Sequence, residues 1–415
     1  MGERVVHVVI IADGAEKVYP NPAVKRVREG SRLTMYDSII IGLGGMGSAA
    51  AAHLAQRGQR VLGLEQFSPV HALGSSHGQT RIIRQAYFEH PAYVPLLLRA
   101  YELWHDLESR CGETLLVRTG GLLVGNESSP LVAGSLRSVR DHGLAHEVFD
   151  ATGLYKRFPA MHPQPDEIGV FELPAGMLFP ERCVRAHLDW AAAAGAELRF
   201  DTPVVRWGAT PDGAVWVTTA DGRRFEAASL MLCAGAWLQR YAADIGLPIR
   251  VERNVMHWFA PQPDADVARL AALPVFIVDR RKGDLLYGVP FIQGQGLKAA
   301  FHHSHRYTSP DGLQRDVDPA EACGVHEALR AWIPDAAGER ITSVACMYTM
   351  TPDEHFIIGR HPAHAAVILA GGFSGHGFKF CSVVGEILAQ LAIDGEPVHS
   401  IALFSPTRFG SARAQ

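Results

Sequence analysis

Gly42, Gly44, Gly47 and, further along, Glu65 are the residues whose types and spacing first point to chemistry. The glycines stand in Gly42-Leu43-Gly44-Gly45-Met46-Gly47, between an apolar run, Ser38-Ile39-Ile40-Ile41, and an alanine-rich segment over 48–54. A second apolar run, Val61-Leu62-Gly63-Leu64, ends in Glu65. That order reads as strand, glycine turn, helix, strand and acid. Glycines let the backbone turn tightly and approach a pyrophosphate, which a helix N-terminus stabilises through its unpaired N–H groups and dipole. Glu65 is then placed to accept hydrogen bonds from a pair of ribose hydroxyls. A glycine motif alone is a weak signal; with strand, helix and acid around it, it meets the context of a dinucleotide site.

A second glycine turn lies near the other end of the chain. Val367-Ile368-Leu369-Ala370 feeds Gly371-Gly372-Phe373-Ser374-Gly375-His376-Gly377, and Phe380, Val383, Val384, Ile387, Leu388 and Leu391 then recur at helical spacing. An NAD dehydrogenase needs one contiguous dinucleotide domain. A chain that opens on one such turn and returns to another suits FAD, whose isoalloxazine lies far from the adenine. The ring needs its own helix N-terminus to stabilise negative charge near N1 and O2 on reduction.

Between the two turns the periodicity predicts helices over 91–109, 129–142 and 179–194. It predicts one strand over 115–124, broken at Gly120-Gly121, and a meander of strands over 197–200, 204–207 and 214–219. Residues 230–237 read as a buried strand running into small residues, suited to close passage beside a cofactor. Residues 276–298 and 341–349 read as strands of a second sheet.

Composition narrows the class. The 415 residues are 47% hydrophobic and 20% charged, an ordinary globular balance, and a net charge of -4 gives no electrostatic case for nucleic acid. No run of roughly 18 apolar residues suggests a membrane span. Six scattered cysteines without CxxC spacing predict neither a disulfide framework nor a metal site, and the reducing cytoplasm is the default. Residues 1–34 look like an extension ahead of Met35, with loop character at Asp13-Gly14, 19–22 and 25–29.

Three segments carry a family likeness: Ser75-Ser76-His77-Gly78-Gln79-Thr80-Arg81-Ile82-Ile83-Arg84; Cys346-Met347-Tyr348-Thr349-Met350-Thr351-Pro352-Asp353-Glu354-His355-Phe356-Ile357-Ile358; and Gly372-Phe373-Ser374-Gly375-His376-Gly377-Phe378-Lys379-Phe380. Together they resemble the monomeric sarcosine oxidase and N-methyltryptophan oxidase family of flavoproteins, over nearly everything from Tyr36 to Phe404. The resemblance implies an α/β fold: a Rossmann-like FAD-binding domain of discontinuous segments (35–116, 180–250 and 353–415) and a second, α+β substrate domain with a mixed sheet (117–179 and 251–352). It implies a monomer acting on a small amino acid with O2.

It also implies FAD joined covalently to the sulfur matching Cys346, through attack by the thiolate. Arg84 and Lys379 match the pair that holds the substrate carboxylate, and Lys298 matches the oxygen-activating lysine. A fixed positive charge suits that task, because the first electron to O2 makes an anion. Tyr287, Tyr348 and His302 match the substrate pocket, and His77, Thr80 and Arg81 the flavin surroundings. Gly375, His376, Gly377 and Lys379 match the turn against the ring.

The departures are Ser76 and Gln79, where the family has a histidine and an acid, Gln85 in place of a histidine, and Phe88 in place of a glycine. They leave a bulkier or cyclic secondary amino acid as open as sarcosine. A flavin dehydrogenase using another acceptor, or a flavin-binding module without turnover, are the other classes the residues admit.

Overall fold

Tyr36–Ile41 is an inner strand whose apolar run is buried and which runs straight into the first glycine turn. The computed structural model describes residues 9–12, 15–18, 35–280 and 284–410. Two units separate at Thr34. In the first, Val9–Ala12 pairs antiparallel with Ala15–Val18; the loops predicted at Asp13-Gly14, 19–22 and 25–29 lie outside the described residues.

The second unit holds three sheets. An eight-stranded sheet has the order Glu197–Arg199, Val61–Leu64, Tyr36–Ile41, Arg224–Leu232, Val215–Thr219, Val204–Ala209, with His364–Gly371 on Arg224–Leu232 and Ile357–His361 beyond it. Tyr36–Ile41, Val61–Leu64, Glu197–Arg199, Arg224–Leu232 and His364–Gly371 are parallel to their neighbours in this set. Gly42, Cys233-Ala234-Gly235 and Gly372 therefore emerge side by side at the carboxyl ends of three strands. Open α/β sheets bind ligands at such an edge.

The helix Gly45–Gln56 packs against both Pro180–Ala193 and Cys381–Ile393. Small residues allow the close approach: a Cβ at Gly385 would stand 2.5 Å from the Cβ of Ala49.

A nine-stranded sheet runs Tyr307–Thr308, Arg250–Phe259, Gly296–Phe301, Leu285–Ile292, Val275–Asp279, Gly121–Asn126, Glu167–Glu172, Glu147–Asp150, with Arg340–Met350 also on Arg250–Phe259. It is mixed: Val275–Asp279 and Gly121–Asn126 are parallel, and the other pairs are antiparallel. A three-stranded sheet joins Arg81–Ile83, Gly176–Leu178 and Leu116–Arg118.

Three expectations change, and one strand was missed. The strand over 115–124 is two strands in different sheets. Gly120 turns the chain with φ +76°, at a place where a Cβ would stand 2.5 Å from the Phe171 ring. Glu197–Arg199 is not part of the meander; it follows the helix Pro180–Ala193 and pairs parallel with Val61–Leu64 at the far edge. The meander is instead Val204–Ala209, Val215–Thr219 and Arg224–Leu232. The strand ends at Leu232, and Gly235–Trp237 is a 3-10 turn. The long strand Arg250–Phe259 was not legible, because Glu252, Arg253, Asn254 and His257 interrupt its apolar pattern although all four are buried.

Candidate active site

A cleft runs along the carboxyl ends of the parallel strands, lined by Gly42, Gly44, Gly45, Glu65, Ala234, Thr349, Gly372, Gly377 and Cys381. Its floor has no room for side chains. A Cβ on Gly42 would sit 2.6 Å from the Cys233 carbonyl oxygen, and one on Gly47 would sit 1.8 Å from that of Gly42. Gly47 thus fits the helix under the turn, while Gly42 and Gly44 face the cleft. Glu65 is 6% exposed; its carboxylate accepts from the Leu43 and Phe67 N–H groups at 2.8 and 3.1 Å, which aims it along the cleft edge. Ser76 lies at the start of the helix, its hydroxyl accepting from the Gly45 N–H at 3.1 Å. Backbone donors, glycine floor and oriented carboxylate fit the ADP half of FAD.

A second cavity meets the cleft at Arg81, Tyr348, Gly375 and Phe378. Its lining brings together Thr80, Arg84, Tyr287, Lys298, His302, Cys346, His376 and Lys379 from widely separated parts of the chain. Cys346 is 2% exposed, with Arg81 Nη2 3.7 Å from its sulfur. Gly375 has φ +79°, and a Cβ there would stand 2.4 Å from the Tyr348 ring, so only glycine carries the turn past that ring. Burial raises the pKa of both Tyr287 and Tyr348, so both phenols are neutral.

Lys298, on Gly296–Phe301, is buried, and its Nζ donates to the carbonyls of Gly78 and Thr80, both at 2.8 Å, and to Thr80 Oγ1 at 3.3 Å. Burial, then the Arg81 charge, hold its pKa well below that of a free lysine. Arg81 Nη1 shares the Thr80 carbonyl at 2.8 Å.

Lys379 and Arg84 both lie against the Tyr87 ring: Lys379 Nζ lies 5.2 Å and the Arg84 guanidinium carbon 4.1 Å from its centre. Lys379 donates to the His376 carbonyl at 2.7 Å, and burial, then Arg84, lower its pKa to about 7. Arg84 is not a free cation: its Nη2 donates to both oxygens of Glu89 at 2.7 Å, and its Nη1 to the Ala86 carbonyl. Sequence reasoning missed Glu89, and Glu172, whose buried carboxylate accepts from the Gln85 and Ala86 N–H groups and fixes the same bend.

The histidines separate. His302 lines the cavity, and burial keeps it neutral, its pKa far below the usual value. His376 has both ring nitrogens engaged, with the Tyr87 hydroxyl at 2.6 Å and the Glu354 carbonyl at 2.9 Å. His77 is buried behind the lining, with Nε2 unpartnered and a pKa lowered to about 3 by burial, then Arg81 and Lys298. Elsewhere, Asp244, His361 and His364 cluster with ligand atoms within 4.8 Å of one another. The Ala363 N–H donates to His361 Nδ1, which puts that ring's proton on Nε2, facing Asp244 at 3.1 Å. That contact is close enough for an ion pair but is not aligned as a hydrogen bond.

The chain has known relatives. Residues 37–391 match the family described as FAD dependent oxidoreductase. The chain is 47% identical to a monomeric sarcosine oxidase of Streptomyces avermitilis, over 91% of this chain and 99% of that one. It is 36% identical to an N-methyl-L-tryptophan oxidase of Citrobacter koseri, over 90% and 99%. A solved structure of NikD, an amino acid oxidase of nikkomycin biosynthesis, shares the fold with a TM-score of 0.77 at 23% identity, over 90% of this chain and 97% of that one. The chain belongs to the FAD-dependent oxidoreductases, in the family of the monomeric sarcosine and N-methyl-L-tryptophan oxidases.

Proposed function

We propose that this enzyme oxidises N-methyl or other secondary α-amino acids at the C–N bond, using FAD tethered through Cys346 and O2 as electron acceptor. One observation carries the reading: Arg84, Lys379, Cys346, Tyr348 and Lys298 all line one cavity, which opens onto the glycine-floored cleft. When bound, the flavin takes a hydride equivalent from the carbon next to nitrogen and passes the electrons to O2, giving hydrogen peroxide.

The chain's own groups set up that exchange. Arg84 and Lys379 receive the substrate carboxylate, the guanidinium offering planar donors and the ammonium a point charge. With Arg84 paired to Glu89, the Lys379 charge and the water-poor cavity disfavour a protonated amine and present the nitrogen lone pair needed for C–H cleavage. Neutral His302 and the neutral phenols of Tyr287 and Tyr348 bound the amine side without adding charge. The imine product hydrolyses to amine and aldehyde. Lys298 supplies the fixed cation for electron transfer to O2, which favours oxygen over another acceptor.

Phe88, Ile277 and Leu285 form a half-buried apolar wall in the same cavity. That wall favours an apolar side chain or ring on the substrate over sarcosine. The reading includes a cytoplasmic monomer: the six free cysteines suit a reducing compartment, and the Streptomyces relative is a monomeric sarcosine oxidase by name. Among the described residues, no helix is long and apolar enough to cross a membrane.

Peroxide assay under air with sarcosine, N-methyltryptophan, pipecolate and proline tests the activity. At least one should release peroxide, and silence from all four contradicts the reading. Acid precipitation tests the tether: yellow colour should stay with the pellet and move to the supernatant in Cys346→Ala.

A further inference from the structure

We infer that Glu181 is a positioning residue for Lys298: its carboxylate holds the turn whose carbonyls grip the ammonium, and its charge opposes that of Arg81. This rests on the oxygen role proposed for Lys298.

Glu181 lies in the first turn of Pro180–Ala193. Its Oε1 accepts from the backbone N–H of both Gly78, at 2.7 Å, and Gln79, at 3.0 Å. These two residues have φ of +95° and +67°. Successive backbone donors in left-handed geometry form a concavity for an anion, and here the anion is a side chain. Gln79 has no special tolerance for that geometry, so the contact with Glu181 offsets a conformational cost. The carbonyls on the other side of this turn, those of Gly78 and Thr80, face Lys298, with Thr80 Oγ1 as a third acceptor. Three acceptors match the three donors of an ammonium; a neutral amine has two.

The charges around Lys298 come from several elements. Arg81, on the strand Arg81–Ile83, opposes its proton, as does burial. His77 is neutral, and Trp258 presents its ring to Nζ at 5.2 Å. Cys346 and Glu181 favour the proton. A sulfur joined to carbon carries no charge, so in the tethered enzyme Glu181 is the anion left to balance Arg81.

The chain has six lysines, at 17, 25, 156, 282, 298 and 379, so selective carbon-13 labelling at the ε carbon gives a short list of NMR signals. The Lys298 signal is the one missing from Lys298→Met. Titrated in the holoenzyme, its midpoint should fall by about one pH unit in Glu181→Gln, which keeps the acceptor oxygen but drops the charge. Glu181→Asp should recover at least half of that shift. The decline of O2 reoxidation with rising pH should move in step, because deprotonation removes the cation. Coincident midpoints for wild type and Glu181→Gln, or an Asp variant as low as the Gln variant, overturn the inference. Wild-type reoxidation in Lys298→Met would instead remove the oxygen role of Lys298, whatever the midpoints show.

Discussion

Two buried lysines face one cavity and are held in opposite ways. Lys298 is gripped by three oxygens of a single turn, leaving its ammonium no donor to spare. Lys379 makes one short bond, to the His376 carbonyl, and a marginal one of 3.5 Å to the Tyr87 hydroxyl. On the proposed roles, the first suits a fixed charge and the second a donor with capacity for a ligand. Burial lowers both pKa values, but Lys379 has Glu89 nearby to offset Arg84, while Lys298 leans on Glu181 through the backbone. A lysine that must not move is saturated; one that must recognise an incoming anion is left partly unsatisfied.

The difference is sharpest in the separate half-reactions. Lys298→Met should slow reoxidation by O2 by roughly a hundredfold or more, the scale for losing a preorganised charge at a developing anion. Rapid mixing should show a much smaller effect on anaerobic reduction; equal losses in both phases would break the distinction. Lys379→Met should weaken binding of substrate or a simple carboxylate by roughly 10- to 100-fold, the scale for losing a charged hydrogen bond. Titration of the flavin spectrum checks that, and the oxygen phase should remain near the wild-type rate.

With a pKa of about 7 in the free protein, Lys379 is protonated below that pH and neutral above it. A bound carboxylate raises its pKa, so acetate binding should take up protons around neutral pH and weaken as pH rises further, by up to about tenfold per unit. An indicator dye measures the uptake. The smallest effect is Glu89→Gln. Glu89 raises the Lys379 pKa, so its loss should move that binding profile to lower pH, by less than about one unit. A shift to higher pH would contradict the charge balance drawn here.

What could be read from the chain follows the range of the interactions. The turn at 42–47 and Glu65 were legible because strand, turn, helix and acid are local, and the Glu65 contacts stay within that unit. Cys346 and Lys379 were found through long motifs and Lys298 through the family resemblance, although nothing local places them around one space. Glu181 and Glu89 were not found. Glu181 acts across 103 residues on Gly78, and its own segment reads only as an acid in a helix first turn. Glu89 sits in a bend with no periodic signal. Arg250–Phe259 was hidden because its buried polar residues are satisfied by distant partners: Arg253 by Glu321, and Glu252 by the Ser304 N–H. Burial without apolarity leaves no trace in a hydrophobic pattern.

The most direct test of the account is anaerobic mixing of the purified yellow protein with sarcosine, N-methyltryptophan, pipecolate or proline, followed by admission of O2. The visible flavin absorbance should bleach with at least one of them, then return with one peroxide formed per flavin reoxidised. A colour that none of the four bleaches, or that returns without peroxide, would contradict it.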